Sequence, residues 1–225
     1  EELIINAISG HDSMSATFSV NADKVSNASW RYVPTDELAR TTSDVLIEGM
    51  LCEALIRMNP EISVQPDRAE EVIHRLRAII QGVQSDGLVR SNEHFTEWLR
   101  GAKTMPFGEN NEHTSVKLID FDHLENNQYI VTNQWSYPAK DGGKRLDIVL
   151  LVNGIPLVIG EVKTATRPSV TWLDGASDIH DFYEQSIPQM FVPNVFVFAT
   201  EGKCYRYGSI RMPLEIWGPW HTQDN

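Results

Sequence analysis

Three side chains able to support metal-assisted hydrolysis crowd into the stretch KRLDIVLLVNGIPLVIGEVKT, residues 144–164. Asp147 precedes one apolar run, 148–152, and Glu161 and Lys163 follow a second, 155–159. Asn153-Gly154 joins the runs, and Asn-Gly between β-branched runs is among the strongest short hairpin signals. Residues i and i+2 of a strand share a face, so Glu161 and Lys163 point the same way. The far ends of a hairpin lie side by side, which brings Asp147 to them. Mg²⁺ favours hard oxygen ligands, usually one or two carboxylates with waters and phosphate oxygens. A bound metal lowers the pKa of its water and neutralises charge developing on a phosphate. A nearby ammonium can orient the attacking water or stabilise the transition state. The competing reading is an ordinary hairpin that ends in a solvated Glu–Lys pair.

Register decides between these readings. A plain two-residue turn pairs Val152 with Ile155 and sets Asp147 opposite Gly160. Glu161 then falls on the other face, because a one-residue slip flips every side chain. The chemistry needs Asp147 opposite Glu161, so a longer loop or a bulge is expected on the second strand. Pro156 cannot donate to the ladder, and Gly160 is a natural bulge residue.

The rest of the chain must position this ribbon. Its 225 residues, 41% apolar and 22% charged, suit a globular protein with a sizeable core. No run of about 18 apolar residues marks a membrane span, and the N-terminus lacks a signal-peptide pattern. Cys52 and Cys204 are too few for a disulfide framework or a zinc site, and the seven histidines show no ligand spacing. A cytoplasmic location is expected. The missing initiator Met suggests a piece cut from a longer protein. A net charge of −12 predicts weak DNA binding by this chain alone, since affinity comes mostly from phosphate neutralisation. The spacing of a P-loop is absent, the nearest match being the GGKR of residues 142–145, so ATP is not expected to bind here.

Residues 1–34 read as an N-terminal arm, with TFSVNA as its best strand candidate. Apolar periodicity predicts helices over 35–58 and 67–83, and a third from Ser91, as N-cap, through Gly101. Arg68, Arg75 and Arg77 fall on the outer side of the second, as a solvated face or facing phosphate. Alternation predicts strands over 116–121 and 128–137. The hairpin follows, then a loop over 164–170, a helix over 174–186, a buried strand over 194–200 and a last strand over 204–207. This order predicts an α/β fold with a mixed central β-sheet flanked by helices, plus an N-terminal helical region. The expected units are an arm 1–34, a domain 35–215 (helical 35–101, sheet core 114–210) and a linker from 216 to 225.

The acids at 147 and 161 with lysine at 163 resemble the D…(D/E)-x-K signature of PD-(D/E)xK nucleases. Together LIDF, NQYIVTNQW, RLDIVLLVNGIPLVIGEVK, IPQMF and NVFVFATEGKCYRYGS resemble the N-terminal nuclease domain of the R (restriction) subunit of type I restriction–modification enzymes. The resemblance covers roughly residues 40–220. It implies a restriction-endonuclease-like core that cuts double-stranded DNA with Mg²⁺. Cleavage would follow ATP-driven translocation by motor domains outside this chain, beside methyltransferase (M) and specificity (S) subunits. It makes Asp147 and Glu161 metal ligands, with the Val162 carbonyl, and Lys163 the catalytic lysine.

The family core also carries a helical Glu ahead of the sheet. Glu48 is the first match and Glu53 the second, each equally readable as a surface carboxylate. Related nucleases carry Gln-x-x-x-Tyr after the lysine. Tyr183 fits the tyrosine, or is a core aromatic. The glutamine position is Ile179, so Asp178, His180 or Gln185 would have to substitute. Lys140, Lys144, Arg145 and Arg167 form either a DNA-backbone rim or a solvated surface. Trp135 and Trp172 read either as DNA-stacking residues or, the favoured reading, as core packing. Two other functions stay open: a non-catalytic docking module on the same fold, or a stand-alone nuclease. The intact Asp–Glu–Lys set argues against the first, and the negative charge and unfinished C-terminus against the second.

Overall fold

The hairpin is the spine of a seven-stranded mixed sheet. The computed structural model describes residues 1–10, 29–140, 142–164 and 169–219. In chain order the elements are α1 (Glu2–Ser9), β1 (Arg31–Tyr32), α2 (Glu48–Met58), α3 (Pro60–Val64), α4 (Arg68–Asp86) and α5 (Leu88–Leu99). A small ribbon, β2 (Thr104–Met105) with β3 (Thr114–Ser115), precedes β4 (Tyr129–Tyr137), β5 (Lys144–Val152) and β6 (Ile155–Val162). One helical rod follows: α6 (Trp172–Ser177), a π-helical turn Asp178–Tyr183 and α7 (Glu184–Ser186). The chain finishes through β7 (Phe196–Thr200), β8 (Tyr205–Gly208) and β9 (Gly218–Pro219). The sheet order is β1-β4-β5-β6-β7-β8-β9. β1 joins β4, and β7 joins β6, in parallel, and the other pairs are antiparallel. This is the expected α/β architecture with a mixed sheet flanked by helices.

The turn of the hairpin is a fixed point of the core. Asn153 and Gly154 take φ of 52° and 81°, the left-handed pair that a tight hairpin turn demands. Asn153 is fully buried, and its amide donates to Leu118 O and Asn127 Oδ1, both at 2.9 Å. Its Oδ1 accepts the Gln128 N–H at 2.9 Å. Gly154 O accepts the Ile47 N–H at 2.8 Å, and a Cβ at Gly154 would stand 2.5 Å from Ile47 O. The N-terminal end of α2 is thereby pinned to the turn end of the hairpin.

The bulge sits on the second strand. Val152 pairs with Ile155 and Leu151 with Pro156, after which Leu150 pairs with Val158. Leu157 is the extra residue. The register then runs through Ile148↔Gly160, so the next step sets Asp147 beside Glu161. Gly160 is not the bulge residue. A side chain there would run into the Phe198 ring of β7, so the glycine serves close packing between two parallel strands.

Several expected elements differ. Helix 35–58 is helical only from Glu48, apart from a single 3₁₀ turn at Thr35–Glu37. The Thr41 N–H is taken by Asp44 Oδ2, and Arg40 binds the carbonyls of Thr42, Asp44 and Ser136. Such local side-chain bonds compete with helix, although Leu38, Val45, Leu46 and Ile47 are buried as their pattern implied. Ser91 is no cap: α5 starts at Leu88 after Gly87 (φ 82°), and Ser91 lies buried inside it. Residues 116–121 form no strand. Val116 and Leu118 are buried, but the N–H of Lys117 goes to Asn59 Oδ1 and that of Asp120 to Asn127 Oδ1. TFSVNA lies outside the described residues. α1 and β1 carry the N-terminal segment onto the sheet through β4. At the other end β9 pairs with β8 and Trp217 is buried, so the packed chain runs on to Pro219.

Candidate active site

Asp147 leaves β5 half-buried, and its Oδ2 accepts the Val162 N–H at 2.9 Å. Glu161, on β6, is only 4% exposed. Its Oε1 accepts Lys163 Nζ at 2.8 Å and faces the Tyr183 hydroxyl at 3.5 Å. Its Oε2 is buried with no hydrogen-bond partner. Lys163 stands just past β6, its N–H donating to Thr200 O at 2.8 Å. Its ammonium also reaches Asp178 Oδ2 at 2.5 Å. The expected trio is therefore one constellation, with Tyr183 and Asp178 closing it from the helical rod.

Electrostatics follow from this burial. Desolvation, then the neighbouring Asp147 charge, push Glu161 up to about 7, against the Lys163 hydrogen bond. Burial also raises Asp147, though the Val162 N–H offsets part of it. Burial by itself would lower Lys163, but hydrogen bonds to Asp178 and Glu161 win and raise it. Burial raises Tyr183, with Glu161 adding to it. The Tyr183 ring packs on the core and its hydroxyl faces Glu161.

A buried carboxylate oxygen without a donor costs free energy unless something positive completes it. Two carboxylates with one such orphan oxygen fit a hard divalent cation that keeps several waters. Among the described residues no group of three or more His, Cys, Asp or Glu could hold a metal. At the hairpin end the carboxylates facing one another are Asp147 and Glu161.

Other expected residues lie elsewhere. Glu48 begins α2 at the turn end of the hairpin, away from the acids, and its Oε1 is 2.5 Å from Arg77 Nη2. Glu53 is exposed on the same helix. Neither stands with Asp147, Glu161 and Lys163. Glu1 is nearer: its charge raises Asp147, and its carboxylate accepts from Gln134 Nε2 at 2.5 Å and Asn133 Nδ2 at 3.2 Å. Gln134 lies on β4 between the pairs Asn133↔Ile148 and Trp135↔Leu146, opposite Asp147, with φ of 55°. Sequence reasoning missed Glu1, although EELIINAIS opens with it, ahead of isoleucines at helical spacing.

Ile179 is fully buried, His180 pairs with Asp181, and Gln185 is exposed. Asp178 is the candidate substitute that reaches the lysine. Lys144 and Arg145 stand at the start of β5, Lys140 is exposed in the preceding turn, and Arg167 lies outside the described residues. Trp135 is buried under Arg40, whose guanidinium is 3.8 Å from the ring centroid, and Trp172 stacks on Trp217. Both are packing residues. Arg68 binds the carbonyls of Glu61 and Phe107, and Arg77 pairs with Glu48.

The sequence model of the family described as type I restriction enzyme R protein N terminus matches residues 20–215. The chain belongs to this family. The type I restriction enzyme HindI endonuclease subunit of Haemophilus influenzae is 30% identical over 187 residues, 81% of this chain and 17% of that protein. The "Putative type I restriction enzyme MjaIXP endonuclease subunit" of Methanocaldococcus jannaschii is 27% identical over 179 residues, 77% of this chain and 16% of that protein. The chain spans about a sixth of the length of these curated relatives. Within this R-protein N-terminal family fold, the hairpin end is where two carboxylates and an ammonium meet. Among the described residues no helix is long and apolar enough to cross a membrane.

Proposed function

We propose that this chain is the endonuclease domain of a type I restriction enzyme R subunit, hydrolysing phosphodiesters of double-stranded DNA with Mg²⁺. The observation that carries the reading is the bulge-set register, which joins Asp147, Glu161 and Lys163 around a buried, unpartnered Glu161 Oε2. Asp147, Glu161 and the Val162 carbonyl would hold the cation. Bound there, it would acidify a water and neutralise phosphate charge. The Val162 N–H fixes the Asp147 carboxylate, and burial keeps Glu161 short of competing water. Lys163 presents an ammonium, aimed by two carboxylates, to the attacking water or the phosphate. Tyr183 supports Glu161 from the helical rod. Lys144, Arg145 and Arg167 are the proposed contacts to the DNA backbone.

The net charge of −12 opposes unaided binding to a polyanion. Delivery of DNA by ATP-driven motor domains outside this chain, and recognition by M and S subunits, remove that difficulty. The test is plasmid cleavage by the complete R subunit assembled with M and S, beside calorimetric Mn²⁺ titration. Asp147→Ala and Glu161→Ala should abolish cleavage and weaken metal binding while ATP hydrolysis survives. Near-normal cleavage by Asp147→Ala would overturn the site. A docking module on this fold would instead show no cleavage by any form.

A further inference from the structure

Lys163 is held from two sides. Its ammonium lies 2.8 Å from Glu161 Oε1, on the sheet, and 2.5 Å from Asp178 Oδ2, on the helical rod. The two carboxylates are not equivalent. Glu161 carries the orphan oxygen and faces Asp147, so any cation placed there competes with Lys163 for the charge of Glu161. Asp178 approaches the ammonium from the other side, and no described group of three acids includes it as a metal cluster.

The backbone shows that this second contact is built in. A capping box starts the rod: Thr171 Oγ1 accepts the Leu173 N–H, and Asp174 Oδ2 accepts the Thr171 N–H at 2.7 Å. Gly175 lets the rod settle on β6, where a Cβ would stand 3.2 Å from Glu161 Cγ. In an α-helix, residues four apart share a face and residues five apart do not. Four residues before Tyr183 is Ile179, fully buried in the core. The rod changes to π-helix over Asp178–Tyr183, and π-type i→i+5 bonding realigns residues five apart. Asp178 and Tyr183 therefore both meet the Glu161–Lys163 pair, one at the lysine and one at the glutamate. Ile179 keeps its place in the core. A π-turn is an uncommon irregularity, frequent at functional sites, and here it puts Asp178 and Tyr183, five residues apart, on the side of the rod that meets the pair.

We propose that Asp178 is a positioning residue for Lys163, retaining the ammonium at the reaction site when Glu161 gives its oxygens to the cation. This rests on the nuclease reading above. In the assembled enzyme Asp178→Ala should slow DNA cleavage by roughly 10–100-fold, the usual cost of losing a group that orients an active-site residue. Mn²⁺ affinity measured by calorimetry should stay within a few-fold. Asp178→Glu should recover most of the rate, and Asp178→Asn should not. In a Lys163→Ala background Asp178→Ala should cost nothing more, because one residue acts through the other.

A second readout needs no cleavage: the rate of Lys163 acylation in Mn²⁺, followed by peptide mass spectrometry, should rise several-fold in Asp178→Ala. Wild-type cleavage by Asp178→Ala, losses that multiply with Lys163→Ala, or unchanged Lys163 labelling would each overturn the proposal. Failure of the nuclease reading looks different. Unsubstituted and Asp147→Ala enzymes would then behave alike on DNA, while the labelling would still report whether Asp178 holds Lys163.

Discussion

The backbone N–H of Val162 donates to Oδ2 of Asp147 at 2.9 Å. A side chain of β5 thus caps the main chain of β6 at the point where their ladder ends. The bond keeps the Asp147 carboxylate from turning out to solvent. It exists because one extra residue, Leu157, shifts the register of β6 by one. The meeting of Asp147 with Glu161 depends on a bulge several residues away.

Stability should depend on pH through Glu161. Its folded pKa of about 7 lies above the ordinary 4.5. A raised carboxyl favours folding while protonated, so its contribution is intact below the unfolded value and is lost as pH rises through the folded one. The metal-free protein should therefore lose thermal stability between pH 4.5 and 7 relative to Glu161→Gln. The variant should match it at low pH and exceed it at pH 8. Parallel melting curves across this range would refute the assignment. Divalent metal should bind more tightly as pH rises over the same interval, since the ligand must shed a proton.

Gly160 should tolerate no side chain. Gly160→Ala drives a methyl into the Phe198 ring and should cost about 1–3 kcal/mol, the range for overpacking a filled core. Adding Phe198→Leu should return part of that loss. An unchanged urea midpoint for Gly160→Ala would show that β6 and β7 lie further apart than described.

Glu48 should be dispensable. Its ion pair with Arg77 is exposed, with side-chain accessibilities of 42% and 43%, and such pairs contribute at most about 1 kcal/mol. Glu48→Gln should leave DNA cleavage unchanged and shift the unfolding midpoint slightly. A large loss of cleavage would mean that α2 reaches the acids in the working complex.

Lys163 separates an enzyme from a docking module. Lys163→Ala should keep metal binding, since the ligands are oxygens, and removing a cation relieves like-charge repulsion. Cleavage should fall by on the order of 10²-fold or more, the scale of deleting a preorganised electrostatic group. Lys163→Arg should not restore it, because a planar fork does not replace a compact ammonium. Metal affinity lost in step with rate would mean that Lys163 shapes the site without acting in it.

Local chemistry made much of this legible. Asn153-Gly154 announces a tight turn, the β-branched runs announce two strands, and strand parity places Glu161 with Lys163. The need for a bulge on β6 also followed from parity, since no plain turn can set Asp147 against Glu161. Misreadings came where side chains supplied the backbone's hydrogen bonds. Asn59 and Asn127 hold 116–121 out of a strand, and Asp44 keeps 41–44 out of a helix. The apolar pattern reported burial correctly in both places, because burial and backbone conformation are separate consequences of one pattern.

The sequence by itself determined the family, through blocks spread over much of the chain, the α/β class with its mixed sheet, through the order of the elements, and the meeting of Asp147, Glu161 and Lys163, through neighbours within one hairpin. Tertiary structure decided which residues meet that set from afar. Glu1, the N-cap of α1, binds Gln134 and Asn133 of β4 and brings its charge to bear on Asp147 across more than half the chain. Asp178 continues the register of α6 to reach Lys163, and the π-turn that follows brings Tyr183, five residues on, to Glu161. Glu48, which local pattern favoured, is drawn to Arg77 at the opposite end of the hairpin. Spacing along a strand or a helix fixes which side chains share a face. Which faces come together depends on how separate elements pack, and the long-range contacts that settle this leave no periodic trace in the chain.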